Sequence, residues 1–228
     1  MTVCLAPPAR PDGSPAGAKE MFLLGRQLNF ATPVAVARAV REAGVDAVVK
    51  WPNDVYVGRR KMSGILVNID RLVVVGIGIN VHEDVSGDPV LADIATSVDL
   101  ELQRVSGDPD ATTDREALVA GVLNHLEALT GPETSFDALM EAWTELDMLQ
   151  GTRVRVHHAQ REVDHPDDYT ARVVGVNAAT GSLVVERAGG DGTPIELHAE
   201  EISLTPLGNG DAGDADDTVA DVDVDSSL

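Results

Sequence analysis

Four short motifs between residues 50 and 81 hold the residues best suited to binding a ligand. They are Lys50-Trp51-Pro52-Asn53-Asp54, Lys61 to Leu66, Gly76-Ile77-Gly78 and Asn80. Two of the chain's only three lysines, Lys50 and Lys61, fall in this region. The residue types suit a site that places a flat molecule beside positive charge.

The glycines are the second element of such a site. Gly76 and Gly78 are two residues apart in an apolar run, so both lie on one face of a strand. A glycine inside a strand weakens it and often marks the close approach of a ligand or another backbone. Together with Gly64, the pair would form a bare wall for a flat molecule.

Each motif alone also has a simpler interpretation. Gly76 and Gly78 would equally admit a bulky neighbour from a helix over residues 33–43, Asp54 would cap a turn, and Lys61 would be a solvated hairpin lysine. The Gly-x-Gly pair has no third glycine and no helix after it, so it is not a dinucleotide fingerprint. The order and spacing of the motifs are more specific than any one of them.

Strands must position these residues. Apolar runs predict strands over residues 47–49, 55–57, 62–67 and 72–81, with a hairpin turn from Asn68 to Arg71 joining the last two. The second hairpin strand is nearly all apolar, which predicts burial on both faces. A short strand over residues 2–5 and a loop over 11–18 precede them.

Helices are predicted on either side of the strands. One covers residues 33–43, with Thr32 as N-cap, Pro33 at the first helical position and Gly44 at its end. A second covers 90–98. A third begins at a capping box of Thr113 and Glu116. Its apolar stripe consists of Leu118, Val122, Leu126 and Leu129, and His125 is expected at the surface or boundary. A fourth begins after Ser135 and carries Phe136, Leu139, Met140 and Trp143 on one face.

The last third of the chain changes character. Five short strands over residues 151–207 predict a small barrel. Residues 208–228 contain seven Asp and neither Lys nor Arg, a composition that predicts an acidic disordered tail.

Composition excludes several classes of protein. The formal net charge is −21, which argues against nucleic-acid partners. No apolar stretch is long enough to span a bilayer and no secretory signal is visible, so we expect a cytoplasmic protein. Its single cysteine, Cys4, supports neither an internal disulfide nor a cysteine zinc site. The Asp-rich, Lys-poor composition predicts a halophilic protein; the alternative is an ordinary acidic protein with an acidic tail.

The order KWPND, K-x-x-G-[IV]-L and G-[IVA]-G-x-N resembles the biotin protein ligase family. The matching residues are Lys50 to Asp54, Lys61 to Leu66 and Gly76 to Asn80. The resemblance implies an α+β fold: a mixed or antiparallel sheet with packed helices, like that of class II synthetases. It places the catalytic domain at 1–150 and an SH3-like barrel at 151–207.

The resemblance also implies a two-step reaction. The biotin carboxylate attacks the α-phosphate of ATP to give biotinyl-5′-AMP, and a lysine of a biotin carboxyl carrier domain then takes the biotin. Lys61 matches the catalytic lysine and would contact the biotin carboxylate and the adenylate phosphate. Asp54 would orient the carrier amine or help accept its proton, and Asn53 and Asp54 would help to hold Mg²⁺.

Further residues are assigned by the same resemblance. Gly64 belongs to the matched motif at the biotin and adenylate site, Gly76, Gly78 and Asn80 would line the biotin site, and Trp51 would pack as a floor under the adenylate. A homodimer is common in the family. We expect neither a nucleic-acid nor a membrane partner.

Departures from the family pattern lead to a further expectation. The Gly/Arg-rich loop that closes over biotin and ATP is not present in this sequence, Asn68 replaces an acidic residue, and residues 11–30 fit poorly. We therefore expect the chain alone to adenylate biotin very poorly. Two alternatives stay open: a non-catalytic remnant that binds biotin or carrier protein, and a lipoate or octanoate ligase. The Trp-Pro-Asn-Asp corner and the C-terminal barrel favour biotin over the last.

Overall fold

The structure, a computed structural model, describes residues 1–5, 16–70, 72–158, 168–199 and 202–207. The chain divides into two units, Met1–Met148 and Leu149–Leu228. The predicted tail over 208–228 and most of the predicted loop over 11–18 lie outside the described residues. None of the helices within the described ranges has the length and apolar character needed to cross a bilayer.

The first unit combines an antiparallel sheet with five helices in its described residues. Its elements are β1 (Thr2–Leu5), α1 (Ala18–Glu42), β2 (Val48–Lys50), β3 (Asp54–Val57), β4 (Arg60–Ile69), β5 (Val73–Ile79), α2 (Pro89–Ile94), α3 (Val98–Ser106), α4 (Arg115–Thr130) and α5 (Phe136–Leu146). The sheet order is β1-β5-β4-β3-β2, and all neighbours are antiparallel. The α+β class and the hairpin that were predicted are confirmed.

Helix α1 begins fifteen residues earlier than predicted, and the prediction of Thr32 as its N-cap is wrong. Gly17 is the N-cap, and the Glu20 carboxylate accepts a hydrogen bond from the Gly17 N–H at 2.9 Å. Pro33 lies inside the helix. The Thr32 hydroxyl donates to the Leu28 carbonyl one turn earlier at 2.7 Å, which satisfies a buried mid-helix threonine. Thr followed by Pro is typical of a helix N-terminus, but in this protein both residues lie inside the helix.

Helix α1 packs against one face of the sheet and decides which strand residues are buried. A side chain at Gly25 would meet Ile69 and Val73, so these residues point toward the helix. Along β5, Val73, Val75 and Ile77 are buried, whereas the residues between them are half-buried or exposed. The prediction that this strand is buried on both faces is wrong, because its alternate positions include the two glycines on the outer face.

Helices α4 and α5 pack against α1. The predicted stripe of α4 is buried, but its N-cap is Asp114, whose carboxylate accepts from the N–H groups of Glu116 and Ala117. The Thr113–Glu116 capping box is therefore wrong by one residue. Ser135 caps α5 as predicted. The rings of Phe30 and Trp143 meet edge to face at 5.1 Å and join α1 to α5.

The helix predicted over 90–98 is two shorter pieces. α2 ends at Ile94, and α3 starts at Val98 after its own cap, Ser97. The segment between them is extended, and Ala95 forms a bridge to Lys61. This break brings residues 95–97 against strand β4.

The second unit is a five-stranded antiparallel sheet in its described residues. The strands are β6 (Arg153–His158), β7 (Tyr169–Val176), β8 (Leu183–Arg187), β9 (Pro194–Leu197) and β10 (Ile202–Pro206), in the order β10-β6-β7-β8-β9. Their number and positions agree with the prediction from the sequence. Closure into an SH3-like barrel stays a prediction.

Candidate functional site

The corner between β2 and β3 is fixed by the residues of the Trp-Pro-Asn-Asp motif. The Trp51–Pro52 peptide bond is cis, and the Trp51 side chain is buried, with 5% of the residue exposed. The Asn53 amide donates to the Ile65 carbonyl at 2.6 Å, and the Ile65 N–H donates back to the Asn53 carbonyl at 3.1 Å. Asn53 therefore ties the corner to the middle of β4, and Trp51 anchors it in the interior.

Lys61 and Asp54 form an ion pair above this corner. The Lys61 ammonium lies 2.9 Å from a carboxylate oxygen of Asp54. The Lys61 side chain is 47% exposed and that of Asp54 is 19% exposed, so an incoming ligand can reach both. In the sheet, Asp54 lies opposite Lys50 on one side and opposite Gly64 on the other.

The glycines continue this row across the sheet. Gly64 lies opposite Gly78, so Asp54, Gly64 and Gly78 are aligned across three neighbouring strands. A Cβ at Gly64 would lie 3.3 Å from the Lys61 Cε and 3.4 Å from its Nζ. A Cβ at Gly78 would have ordinary contact only, 3.8 Å from the Gly64 carbonyl oxygen. The row is a bare backbone surface that begins at the charged pair.

Gly76 extends the bare surface toward the sheet edge. It lies opposite Leu66 on β4 and Thr2 on β1. A Cβ there would meet only Leu66, at 3.9 Å or more. The Leu66 side chain stands on the same face and is largely exposed, with 67% of the residue accessible. The surface therefore has an apolar border on the side away from Lys61.

A hydrogen-bonded network positions the backbone of Lys61 from below. The Thr96 N–H donates to the Lys61 carbonyl at 2.9 Å, and the Asn80 amide donates to the Thr96 carbonyl at 3.2 Å. The Thr96 hydroxyl donates to the carboxylate of Glu101, whose side chain is only 4% exposed. Glu101 also accepts from Arg60 at 2.9 Å and Arg104 at 2.8 Å.

Lys50 and Tyr56 lie next to the ion pair. The Lys50 ammonium is 5.0 Å from the centre of the Tyr56 ring and 3.5 Å from its hydroxyl oxygen. Burial, and after it the negative charge of Asp54, raise the pKa of Tyr56 to about 12. Tyr56 is therefore a neutral phenol at physiological pH, placed between a lysine and the catalytic candidates.

The predicted site residues thus fall into two groups. Lys61, Asp54, Gly64, Gly76 and Gly78 stand together on the outer face of the sheet. Asn53, Trp51 and Asn80 support the site, because their amides or ring are engaged with backbone or interior.

Three residues that were not predicted from the sequence lie beside these side chains or support them: Tyr56, Thr96 and Glu101. Tyr56 could have been found, since it is two residues after Asp54 in the same strand. Glu101 is forty residues beyond Lys61 on a helix, and no local pattern indicates it.

Two further observations concern metal-binding groups and cavities in the described residues. No group of three His, Cys, Asp or Glu side chains in them is arranged to bind a metal ion. A cavity of about 320 Å³ lies elsewhere, between α1, α3 and α4, and is lined by residues such as Ala39, Glu42, Leu102, Thr113 and Gly121. It contains none of the predicted site residues. At the candidate site Lys61, Leu66 and Gly78 are exposed, so the described part of the site is open to solvent.

Comparison with known proteins finds similarity to one family over part of the chain. Residues 17–82 match the sequence model of the Biotin/lipoate A/B protein ligase family. Over these residues the chain is similar to that family. The match includes all the motifs between Lys50 and Asn80, and it also covers residues 17–30, a region that the sequence analysis expected to fit poorly.

Curated relatives and solved structures show similarity to the same group of proteins. The bifunctional ligase/repressor BirA of Bacillus subtilis is 37% identical over 108 residues, which are 44% of this chain and 30% of that protein. The chain thus spans under a third of the length of this relative. A biotin protein ligase from Aquifex aeolicus has the same fold, with 23% identity and a TM-score of 0.67 over 90% of this chain and 81% of that one. A structure of the Aquifex ligase in complex with biotin and ATP matches with 24% identity and a TM-score of 0.60, over 79% and 72% of the two chains.

Proposed function

We propose that the protein is a biotin protein ligase, which activates biotin with ATP and transfers it to a lysine of a biotin carboxyl carrier domain. The observation that carries this proposal is the Lys61–Asp54 pair at the end of the bare glycine row. The match of residues 17–82 to the Biotin/lipoate A/B protein ligase model and the similarity to proteins named as biotin protein ligases support it.

In the first step a biotin carboxylate oxygen attacks the α-phosphorus of ATP, and pyrophosphate leaves with the electron pair of the broken P–O bond. Two anions must approach one another, so a cation beside them lowers the barrier. The exposure of the Lys61 ammonium beside a surface without side chains supports this role. Asn53 and Asp54 would be the residues that hold Mg²⁺, through an amide and a carboxylate oxygen, and the ion would add positive charge beside the phosphates.

In the second step the carrier lysine amine attacks the acyl carbon of biotinyl-AMP. An amide bond forms, the acyl–phosphate bond breaks, and AMP leaves. The amine must lose a proton as it attacks, and Asp54 is the carboxylate positioned to accept it. The same ion pair thus serves both steps, with Lys61 in the first and Asp54 in the second.

Two alternative functions would give different experimental results. A lipoate or octanoate ligase would use the same pair with another acid. A remnant would bind biotin or the carrier domain without turnover. The Trp51–Pro52 corner favours biotin, because it belongs to the motif through which the sequence resembles biotin ligases.

The test incubates the protein with radiolabelled ATP, Mg²⁺ and, in separate reactions, biotin, lipoate or octanoate. Formation of a labelled acyl-adenylate is followed by thin-layer chromatography, and a purified carrier domain is then added. Of the three acids we expect only biotin to give adenylate, slowly but at a rate above that of a Lys61→Gln variant, and we expect biotin on the carrier lysine. Adenylate only with lipoate or octanoate would contradict the proposal, and biotin binding without adenylate would favour the remnant.

A further inference from the structure

The Lys50 side chain lies against an aromatic ring on the face that carries the candidate site. Lys50 is the last residue of β2 and lies directly opposite Asp54 on β3, so both belong to the same face of the sheet. Its ammonium lies over the Tyr56 ring, 5.0 Å from the centre, and 3.5 Å from the phenol oxygen. A cation within about 6 Å of a tyrosine ring centre is attracted to the ring face.

Tyr56 is in turn close to the charged pair. It is two residues after Asp54 in β3, opposite Lys61 on β4 and opposite Val48 on β2. Burial, and after it the negative charge of Asp54, disfavours the ionised form of the Tyr56 phenol. Tyr56 is therefore neutral. A neutral ring can hold an ammonium by its face without cancelling its charge, which a carboxylate at this position would do.

We propose that Tyr56 is a positioning residue that holds the Lys50 ammonium beside the Asp54–Lys61 pair, so that bound nucleotide meets two lysine cations. The inference rests on the proposed function, because ATP is its anionic ligand. The protein as a whole carries a formal charge of −21 and therefore repels nucleotide phosphates at long range. Positive charge at the site itself is needed to bind them.

The chain has only three lysines, which makes the geometry measurable. Reductive methylation with isotopically labelled methyl groups keeps the charge and gives one NMR signal for each of Lys19, Lys50 and Lys61, besides the amino terminus. The ring current of Tyr56 should shift the Lys50 signal upfield of that of Lys19, which is exposed near the start of α1. Tyr56→Phe should keep this shift, and Tyr56→Leu should abolish it.

The functional half of the test is a titration with Mg·ATP. We expect ATP to move the Lys50 and Lys61 signals but not that of Lys19. Tyr56→Leu should weaken ATP affinity about three- to fivefold, the range expected for loss of one cation–ring contact. In a Lys50→Gln background Tyr56→Leu should have no further effect, because Tyr56 acts through Lys50. Tyr169→Leu is the matched control: Tyr169 contacts Arg187 in the second unit in the same way, with 4.6 Å between guanidinium and ring centre.

Each outcome decides a different point. If ATP moves Lys61 but not Lys50, or if Tyr56→Leu weakens ATP binding equally with and without Lys50, the inference is wrong and the proposed function stands. If ATP moves none of the lysine signals, both fail. If the Tyr56→Leu protein does not fold, Tyr56→Phe and Lys50→Gln are measured in its place. In that case a Lys50 signal of the parent protein that is not shifted upfield overturns the proposal.

Discussion

The Lys61 ammonium and the Asp54 carboxylate are 2.9 Å apart, and Gly64 is the residue beneath both of them. An ion pair as exposed as this one contributes about 1 kcal/mol or less to stability. Its position, at the end of a row of glycines, is what gives it a role. We therefore expect replacements at the pair to change chemistry far more than folding.

The bare surface can be tested by adding one methyl group. Gly78→Ala places a Cβ 3.8 Å from the Gly64 carbonyl oxygen, an ordinary contact, so stability should change by less than about 1 kcal/mol. The same methyl should obstruct a ligand lying on the row and weaken biotin binding at least about tenfold. Calorimetric titration with biotin measures this.

Gly87→Ala is the control for that variant, because Gly87 lies in an exposed turn before α2 and nothing lies within 4 Å of its added Cβ. Equal biotin affinity for Gly78→Ala and Gly87→Ala would show that the ligand does not lie on the glycine row.

The buried carboxylate of Glu101 should be important for stability. It accepts hydrogen bonds from Arg60, Arg104 and Thr96, and removing its charge leaves two guanidinium groups without their shared partner. Glu101→Gln should lower the free energy of unfolding by about 2–3 kcal/mol, as measured by urea denaturation. Glu127→Gln, an exposed position on α4, should change it by less than about 0.5 kcal/mol. Similar values for the two variants would refute the network as a stabilising element.

Alkaline titration should report the environment of Tyr56. The chain has two tyrosines, so in Tyr169→Phe the ultraviolet absorbance of tyrosinate belongs to Tyr56 alone. Its midpoint should lie at a pH of about 12, because burial and Asp54 raise this pKa. The folded state then holds its proton more tightly than the unfolded state, so stability should fall as pH rises from about 10 toward 12. A midpoint near 10 in the folded protein would contradict the described contacts.

Much of this arrangement was predictable from the sequence, and the reasons are local. The strands around Lys50, Asp54 and Lys61 follow from short apolar runs and turn residues, and alternation places Gly76 and Gly78 on one face. The start of α1 was missed because Thr32-Pro33 has the residue types of a helix N-terminus, while tertiary packing keeps the helix continuous through it. The support of Lys61 by Thr96 and Glu101 depends on pairing between distant segments, which no local pattern indicates.

The acidic composition also makes a measurable prediction. With 38 acidic and 17 basic residues, repulsion between like charges opposes the compact state at low salt. Raising KCl from about 0.1 M to about 1 M shortens the screening length from about 10 Å to about 3 Å. The Tm from circular dichroism should therefore rise by several degrees. A Tm that is unchanged or lower would refute charge repulsion as a limit on stability and, with it, the expected halophilic character.

The role of Lys61 is tested most directly by biotin-dependent exchange of labelled pyrophosphate into ATP, which reports the first step alone. The measurement compares the parent protein, Lys61→Gln and Lys19→Gln, the last being an exposed lysine near the start of α1. We predict a loss of about a hundredfold or more for Lys61→Gln, with an unchanged Tm, and none for Lys19→Gln. Equal exchange by Lys61→Gln and the parent protein would contradict the assignment of Lys61 as the residue that activates biotin.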